Sequence, residues 1–324
     1  MKNMAMSCLA ILFLTVSLSH GQSALKGNAK ETILTPPLEW KFTLGGYGAR
    51  MSRPAEAIHD DIKAKALVLN DGTKKYVIVT IDILGLPPNI RSMMIEKLAG
   101  TGWTEENIFL LPSHSHASLE MFALNNRNVF NMPAIGIFHS ELMEFVVDKL
   151  VTLIKDTDHQ LNTVKIGTGQ VILDGCNRNR RGDKAVDQEL TVTRVDLKNN
   201  QPLAVLVNWT AHPTIMDEDD MWVSGGWPGY LQRELKVWIG DLLIVGAPGE
   251  MIAELGLDIK SELTKAGVPY PVIGGLANEW ISYFLTEAEY HQGGYETSVS
   301  FYGPALGSII RDEMLKTAMT LRIE

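Results

Sequence analysis

From Tyr76 to the end of the chain, short apolar runs rich in Val and Ile alternate with longer stretches whose apolar residues recur at helical spacing. That alternation constrains the fold more than any other feature. Tyr76 to Ile83 (YVIVTIDI) reads as a buried strand, Asn89 to Leu98 as a helix closed by Gly100, Asn107 to Leu111 as a strand, and Glu141 to Ile154 as a helix. Strand-like alternation follows over Val164 to Leu173 and Leu190 to Asp196, and short apolar strands over Ala204 to Trp209, Leu242 to Val245 and Pro271 to Ile273. Helices are predicted at about Tyr230 to Trp238, Glu250 to Lys265 and Ala305 to Ala318. The pattern predicts an α/β domain with a largely buried sheet. No repeat, linker or composition break divides it.

The chain starts differently. Met1-Lys2-Asn3 is weakly basic, Cys8 to Leu18 is an apolar run, and small residues follow up to Ser23. This is the layout of a secretory signal peptide, so residues 1–23 are expected to be a leader and 24–324 the domain, secreted or periplasmic. Spanning a bilayer takes about 20 apolar residues, more than this run offers, and no later stretch is long enough. With net charge −9 and no basic block, nucleic acid is not expected as a partner. Of the two cysteines, Cys8 would leave with the leader and Cys176 would stand alone. The fold must then rest on its core or on a metal.

Metal-capable residues collect after strand ends, where open α/β sheets bind ligands. His114 and His116 follow the strand ending at Leu111, and residues two apart in an extended segment face the same way. His212 follows Ala204 to Trp209, Glu250 follows Leu242 to Val245, and Tyr283 comes after Pro271 to Ile273. Each also has an ordinary explanation: His212 a core histidine, Glu250 a helix-opening carboxylate, Tyr283 a packed aromatic. Together they offer imidazole, carboxylate and phenol donors, a set that suits zinc. The loop Asn177-Arg178-Asn179-Arg180-Arg181 is either a solvated turn or the source of a guanidinium for a substrate oxygen. His59, His139, His159 and His291 read as structural or solvated. Arg181-Gly182-Asp183 is discounted as a chance adhesion tripeptide, and Asn208-Trp209-Thr210 as a sequon lying in a buried strand.

The segments Ile58 to Leu67 (IHDDIKAKAL), Ile81 to Gly85, Ser113-His114-Ser115-His116-Ala117-Ser118, Asn177-Arg178, Trp209 to Thr214, Pro248-Gly249-Glu250 and Gly293-Gly294-Tyr295-Glu296 resemble the neutral/alkaline, non-lysosomal ceramidase family, in the same order, from about Leu44 to Gly303. The resemblance implies mixed sheets flanked by helices and a zinc hydrolase cleaving the amide of ceramide-like lipids to a sphingoid base and a fatty acid. It implies zinc ligands at His114, His212, Glu250 and Tyr283, with His116 and Tyr283 serving the proton transfers or the oxyanion and Arg178 touching substrate. Two departures stand out. Only 37 residues separate His212 from Glu250 (250 − 212 − 1), where larger members carry a longer segment with a catalytically important serine; Ser224 is the nearest serine here and aligns poorly. The C-terminal immunoglobulin-like domain of the large members is also expected to be missing. Beside amide hydrolysis of ceramide, the sequence admits a zinc hydrolase for another amide or ester, or a non-catalytic zinc or ligand-binding relative.

Overall fold

The computed structural model describes residues 24–182, 184–234 and 242–320. The expected leader with Cys8, Asp183 of the adhesion-like tripeptide, and the end of the helix expected up to Trp238 lie outside the described residues. In chain order the elements are β1 (Lys26–Ile33), β2 (Ala57–Ile58), β3 (Lys63–Asn70), β4 (Lys75–Ile81), α1 (Pro88–Lys97), β5 (Ile108–Pro112), α2 (Ser140–Thr157) and β6 (Asn162–Ile172). There follow β7 (Glu189–Leu197), β8 (Pro202–Asn208), β9 (Trp222–Val223), α3 (Gly226–Glu234), β10 (Leu242–Gly246) and β11 (Glu250–Met251). The last are α4 (Ala253–Lys265), β12 (Tyr270–Gly274), β13 (Tyr283–Phe284), α5 (Glu287–Gln292), α6 (Tyr295–Ser298) and α7 (Leu306–Thr320).

Seven strands form one mixed sheet in the order β5-β4-β3-β1-β6-β7-β8. Only β4 and β5 run parallel; the other neighbours are antiparallel. Helix α2 buries a stripe of Leu142, Met143, Val146, Val147, Leu150, Val151, Leu153 and Ile154, the spacing of an amphipathic helix. That stripe packs on Ala64, Ala66 and Val68 of β3, whose small side chains let the helix approach closely. Each large side chain buried there contributes about 1.5–3 kcal/mol. On the far face of the sheet lies the parallel pair β10 and β12, backed by Leu255, Ile259 and Leu263 of α4 and Met314 and Ala318 of α7. The layers therefore run helix, sheet, sheet, helix.

The pair β10–β12 also joins the two outer edges of the large sheet. The backbone of Asn278, just after β12, donates to Leu110 O at 2.8 Å, and its side chain accepts from Leu110 N at 2.9 Å. At the other edge, Asn208 of β8 donates to Ile273 O at 2.9 Å. Opposite edges are thus drawn toward one place, where the segments after β5, β8, β10 and β12 meet. That hydrogen bond occupies the side-chain amide of Asn208, which is half-buried in β8.

Several features differ from the sequence expectations. Strands β1, β2, β3 and β9 and the short helices α5 and α6 are added, and α3 starts at Gly226, ahead of the expected Tyr230. The helix expected from Glu250 starts only at Ala253, because Glu250 and Met251 pair in parallel with Tyr283 and Phe284 as β11 and β13. The backbone N–H of Glu250 donates to Ser282 O at 3.0 Å, so Glu250 is a strand residue and not a helix cap. Among the described residues, no helix is long and apolar enough to cross a membrane.

Candidate metal centre

At the end of β5 the chain is held by two main-chain bonds, Ser113 N to Ile81 O at 2.8 Å and His114 N to Ile83 O at 3.1 Å. His114 takes a left-handed backbone conformation, φ 62°, a rare state for a residue with a side chain and one that recurs at functional sites. Its Nδ1 lies 2.5 Å from Leu84 O. That carbonyl accepts a hydrogen bond from Nδ1–H and leaves Nε2 facing the other histidines. His116 follows, with its backbone N–H on Pro213 O at 3.3 Å, which ties the loop after β5 to the loop after β8. His212 then reaches back, its Nε2 2.8 Å from His116 Nε2.

The three rings sit with centroids 5.1 Å (His114–His116), 4.9 Å (His114–His212) and 4.8 Å (His116–His212) apart. One ligand nitrogen from each lies within 4.8 Å of the other two. Glu250 places Oε2 3.4 Å from His114 Nε2, while its Oε1 accepts from Trp280 Nε1 at 2.9 Å. Tyr283 hydrogen-bonds Glu250 and also Arg180. The pairing of β11 with β13 sets Glu250 and Tyr283 side by side. Arg178 and Arg180 are both exposed on their loop, and Arg180 lies over the Tyr295 ring and bonds Glu296 Oε1 at 2.7 Å. Ser224 is buried and donates to Asp60 Oδ2 at 2.5 Å.

The electrostatics disfavour protonation of His116 and His212 and favour it on His114. Burial, with His114 and His212 alongside, drives His116 down to about 2. His212 is open to solvent on one side, yet desolvation of its inward-facing part and the neighbouring His114 lower it too. For His114, burial acts downward, but Glu250 outweighs it and leaves the ring raised. Glu250 shows the mirror effect: burial pushes it up, but His114 and the Tyr283 bond leave it well below the usual carboxylate range. Burial and Glu250 raise Tyr283, so it stays a phenol in the metal-free protein.

The donor set fits a divalent metal ion. Two neutral imidazole nitrogens 2.8 Å apart can share at most one proton, and His116 Nδ1 is buried without a hydrogen-bond partner among the described groups. A cation held by His114, His212 and Glu250, beside His116, would use the converging lone pairs.

Three supporting residues carry no signal that a motif search would find. Arg50, almost fully buried, donates to the carbonyls of Gly45 (2.8 Å), His116 (2.5 Å), Asp217 (2.7 Å), Asp220 (3.0 Å) and Glu218 (3.4 Å). It therefore clamps the loop carrying His116 to the one following His212. Trp280 orients Glu250. Gly46, at φ 86°, lies so close to His116 that an added Cβ would fall 2.1 Å from Nδ1. The only hint was the glycine-rich run Gly45-Gly46-Tyr47-Gly48 ahead of Arg50. Gly46→Ala is expected to displace the His116 ring and to lower stability by about 1–3 kcal/mol through the clash and the positive φ. Urea unfolding together with metal titration of the variant checks both effects.

Glu120 lies beneath the same loops and accepts backbone N–H groups of Phe122, Gly46 and Met121, yet desolvation dominates and raises it to about 7. A carboxyl raised in the folded state stabilises fully below its unfolded value near 4.5, and that contribution is lost as pH climbs through about 7. The difference in stability between wild type and Glu120→Gln is expected to shift in favour of the variant by up to about 3 kcal/mol from pH 4.5 to 8. Comparing the two proteins at each pH in urea removes the histidine contributions, which both share.

The sequence pattern of the family described as neutral/alkaline non-lysosomal ceramidase, N-terminal, matches residues 27–238. The chain belongs to that family. It is 32% identical over 88 residues to the neutral ceramidase of Pseudomonas aeruginosa, a match that covers 26% of this chain and only 13% of that protein. The crystal structure of neutral ceramidase from Pseudomonas aeruginosa superimposes with a TM-score of 0.81 at 15% identity, over 93% of this chain and 75% of that one. A ceramidase complexed with C2 superimposes with a TM-score of 0.80 at 14% identity and the same coverage. The fold is the mixed α/β architecture of neutral ceramidases.

Proposed function

We propose that the protein is a zinc-dependent amide hydrolase that cleaves an N-acyl lipid of the ceramide type into a sphingoid base and a fatty acid. The observation that carries this reading is the convergence of His114, His116 and His212 within 4.8 Å, with Glu250 Oε2 3.4 Å from His114, in a chain of the ceramidase family. A cavity of about 820 Å³ adds to it. The cavity opens beside His114, His212 and Glu250 and runs between the two sheets, past Leu67, Ile78, Leu206 and Val272, an apolar lining suited to a hydrocarbon chain.

His114, His212 and Glu250 would hold the zinc, and Tyr283 stands beside Glu250 across the β11–β13 pair. Bound there, zinc polarises the amide carbonyl and brings the pKa of water to about 7. His116, kept neutral by burial beside the other two histidines, would orient the attacking water by a hydrogen bond, the proton of that water passing to the departing amine nitrogen. Tyr283, kept as a phenol, can donate a hydrogen bond to the oxygen on which negative charge builds. Arg180 fixes the Tyr283 hydroxyl, and we assign the position at the mouth to it in addition to the Arg178 expected from the family motif. Leader residues 1–23 direct the protein, in this reading, to the periplasm or the exterior.

The test is hydrolysis of a fluorogenic ceramide against short-chain N-acyl amides and esters. Zinc-loaded protein is expected to turn over the ceramide, and chelation is expected to remove that turnover. Full activity after metal removal would contradict the zinc requirement, and turnover of the short amides or esters alone would contradict the lipid assignment.

A further inference from the structure

The motif Gly293-Gly294-Tyr295-Glu296 has no part in the reaction outlined above, yet it meets the loop of Arg180 and Arg181 in a closed set of contacts. Gly293 (φ 76°) and Gly294 (φ 97°) take backbone conformations that residues with a side chain rarely adopt, and a Cβ on Gly294 would stand 3.4 Å from Arg181 Nη1. This turn carries the chain from α5 into α6 and buries Glu296, which is 6% exposed. Both of its oxygens are used: Oε1 accepts from Arg180 Nε at 2.7 Å and Oε2 from Arg181 Nη1 at 2.9 Å. Burial works against the charge, but the backbone N–H of Glu296 itself and the two guanidinium groups hold its carboxyl below the usual range.

The two arginines are held differently. Arg181, its side chain 12% exposed, also donates to Gly293 O at 3.2 Å, Glu289 O at 3.3 Å and Gln292 Oε1 at 3.4 Å, and so fastens the loop to the chain around α5. The side chain of Arg180 is 49% exposed. Beyond Glu296 it meets the Tyr295 ring, 5.3 Å from the centroid, and the Tyr283 hydroxyl. The Tyr295 ring in turn stands edge-on to that of Tyr283, centroids 5.9 Å apart. A long side chain half in solvent samples many rotamers unless a partner selects one, and the buried carboxylate of Glu296 is such a partner. Resting on the amide-hydrolase reading above, we propose that Glu296 is a positioning residue: it holds Arg180 over Tyr295 and on Tyr283, so that the Tyr283 phenol is in place before substrate arrives. A donor fixed in advance needs no reorganisation when charge builds on the substrate oxygen, so Glu296 acts on kcat and not on substrate binding.

Two readouts on the full chain test this, one of them independent of turnover. Glu296→Met removes both acceptor oxygens at similar volume, while Arg181 keeps its three other acceptors. In a crystal structure of that variant Arg180 is expected to leave the Tyr295 face and Arg181 to stay. In zinc-loaded protein, kcat for the ceramide, counted per bound zinc, is expected to fall about tenfold or more with KM within about twofold. Arg180→Met, at a half-exposed position, is expected to lose the same factor, and the double variant no more, as for residues acting through one another. Glu296→Gln, which keeps one acceptor oxygen, is expected to recover part of the loss and carries the comparison if Glu296→Met does not fold. A merely structural Glu296 would lower the melting temperature and zinc content yet leave kcat per zinc unchanged. That result, Arg180 unmoved in the Glu296→Met crystal, or losses that multiply in the double variant would each overturn the proposal. If wild type hydrolyses no amide, the functional reading fails, and the place of Arg180 in the variant crystal still decides whether Glu296 holds it. Normal turnover by wild type with an unmoved Arg180 separates the two in the opposite sense.

Discussion

His114→Ala is expected to empty the metal centre and to reduce turnover of a ceramide substrate by at least about three orders of magnitude. His114 has the most prescribed position of the three histidines. Its backbone sits at φ 62°, Leu84 O fixes its Nδ1, and Glu250 lies 3.4 Å from its Nε2. Removing the ring takes away the largest influence that keeps the Glu250 pKa low, leaving only the Tyr283 bond and His212 against burial, so the carboxyl rises. The variant therefore loses one donor outright and weakens a second. Metal analysis by mass spectrometry and a single-turnover assay read the two effects separately. Wild-type zinc content with lost activity would move His114 from ligation to another role.

Arg50 is expected to give the largest effect on stability. Its guanidinium donates to five carbonyls from three segments, and Tyr47 packs its ring 4.8 Å away. A methionine would fill much of the volume but would strand several carbonyls in a buried place, at about 1–3 kcal/mol for each group that water cannot reach. Arg50→Met is thus expected to cost about 3–5 kcal/mol in denaturant unfolding, with weaker zinc binding because the loops of His116 and His212 are no longer clamped together. Arg50→Lys should recover only part of this, since an ammonium cannot reproduce the planar fork. A loss below about 1 kcal/mol for Arg50→Met would mean the loops are held by other contacts.

Much of this was legible in the sequence, for reasons that differ from residue to residue. Strands β4, β5, β7, β8, β10 and β12 are apolar runs dense in Val, Ile and Leu, and their period shows directly. The placement of His114, His212, Glu250 and Tyr283 after strand ends was equally visible. Strand β3 (KAKALVLN) was read only as part of a family motif: its lysines and small alanines hide the alternation, and it is a strand because β1 and β4 pair with it on both sides. The helix expected at Glu250 was misplaced because a glutamate ahead of an apolar run looks like a helix start; the competing partner, Ser282, lies 32 residues further along (282 − 250). Arg50 was silent for a similar reason. Its partners are backbone carbonyls, which leave no trace in side-chain identity.

The convergence of opposite sheet edges on one centre was also beyond the sequence. His114 and His212 follow the two outermost strands of a seven-stranded sheet, and they meet because Asn278 and Asn208 bond the pair β10–β12 to both edges. Strand order, which no local pattern encodes, decides that.

The central claim is that these side chains hold one zinc ion, and zinc-edge X-ray absorption of the purified protein tests it most directly. The account predicts one zinc per chain, bound by nitrogen and oxygen donors at about 2.0–2.2 Å with clear imidazole scattering. Absence of stoichiometric zinc, or a spectrum of hydrated zinc without imidazole, would contradict it.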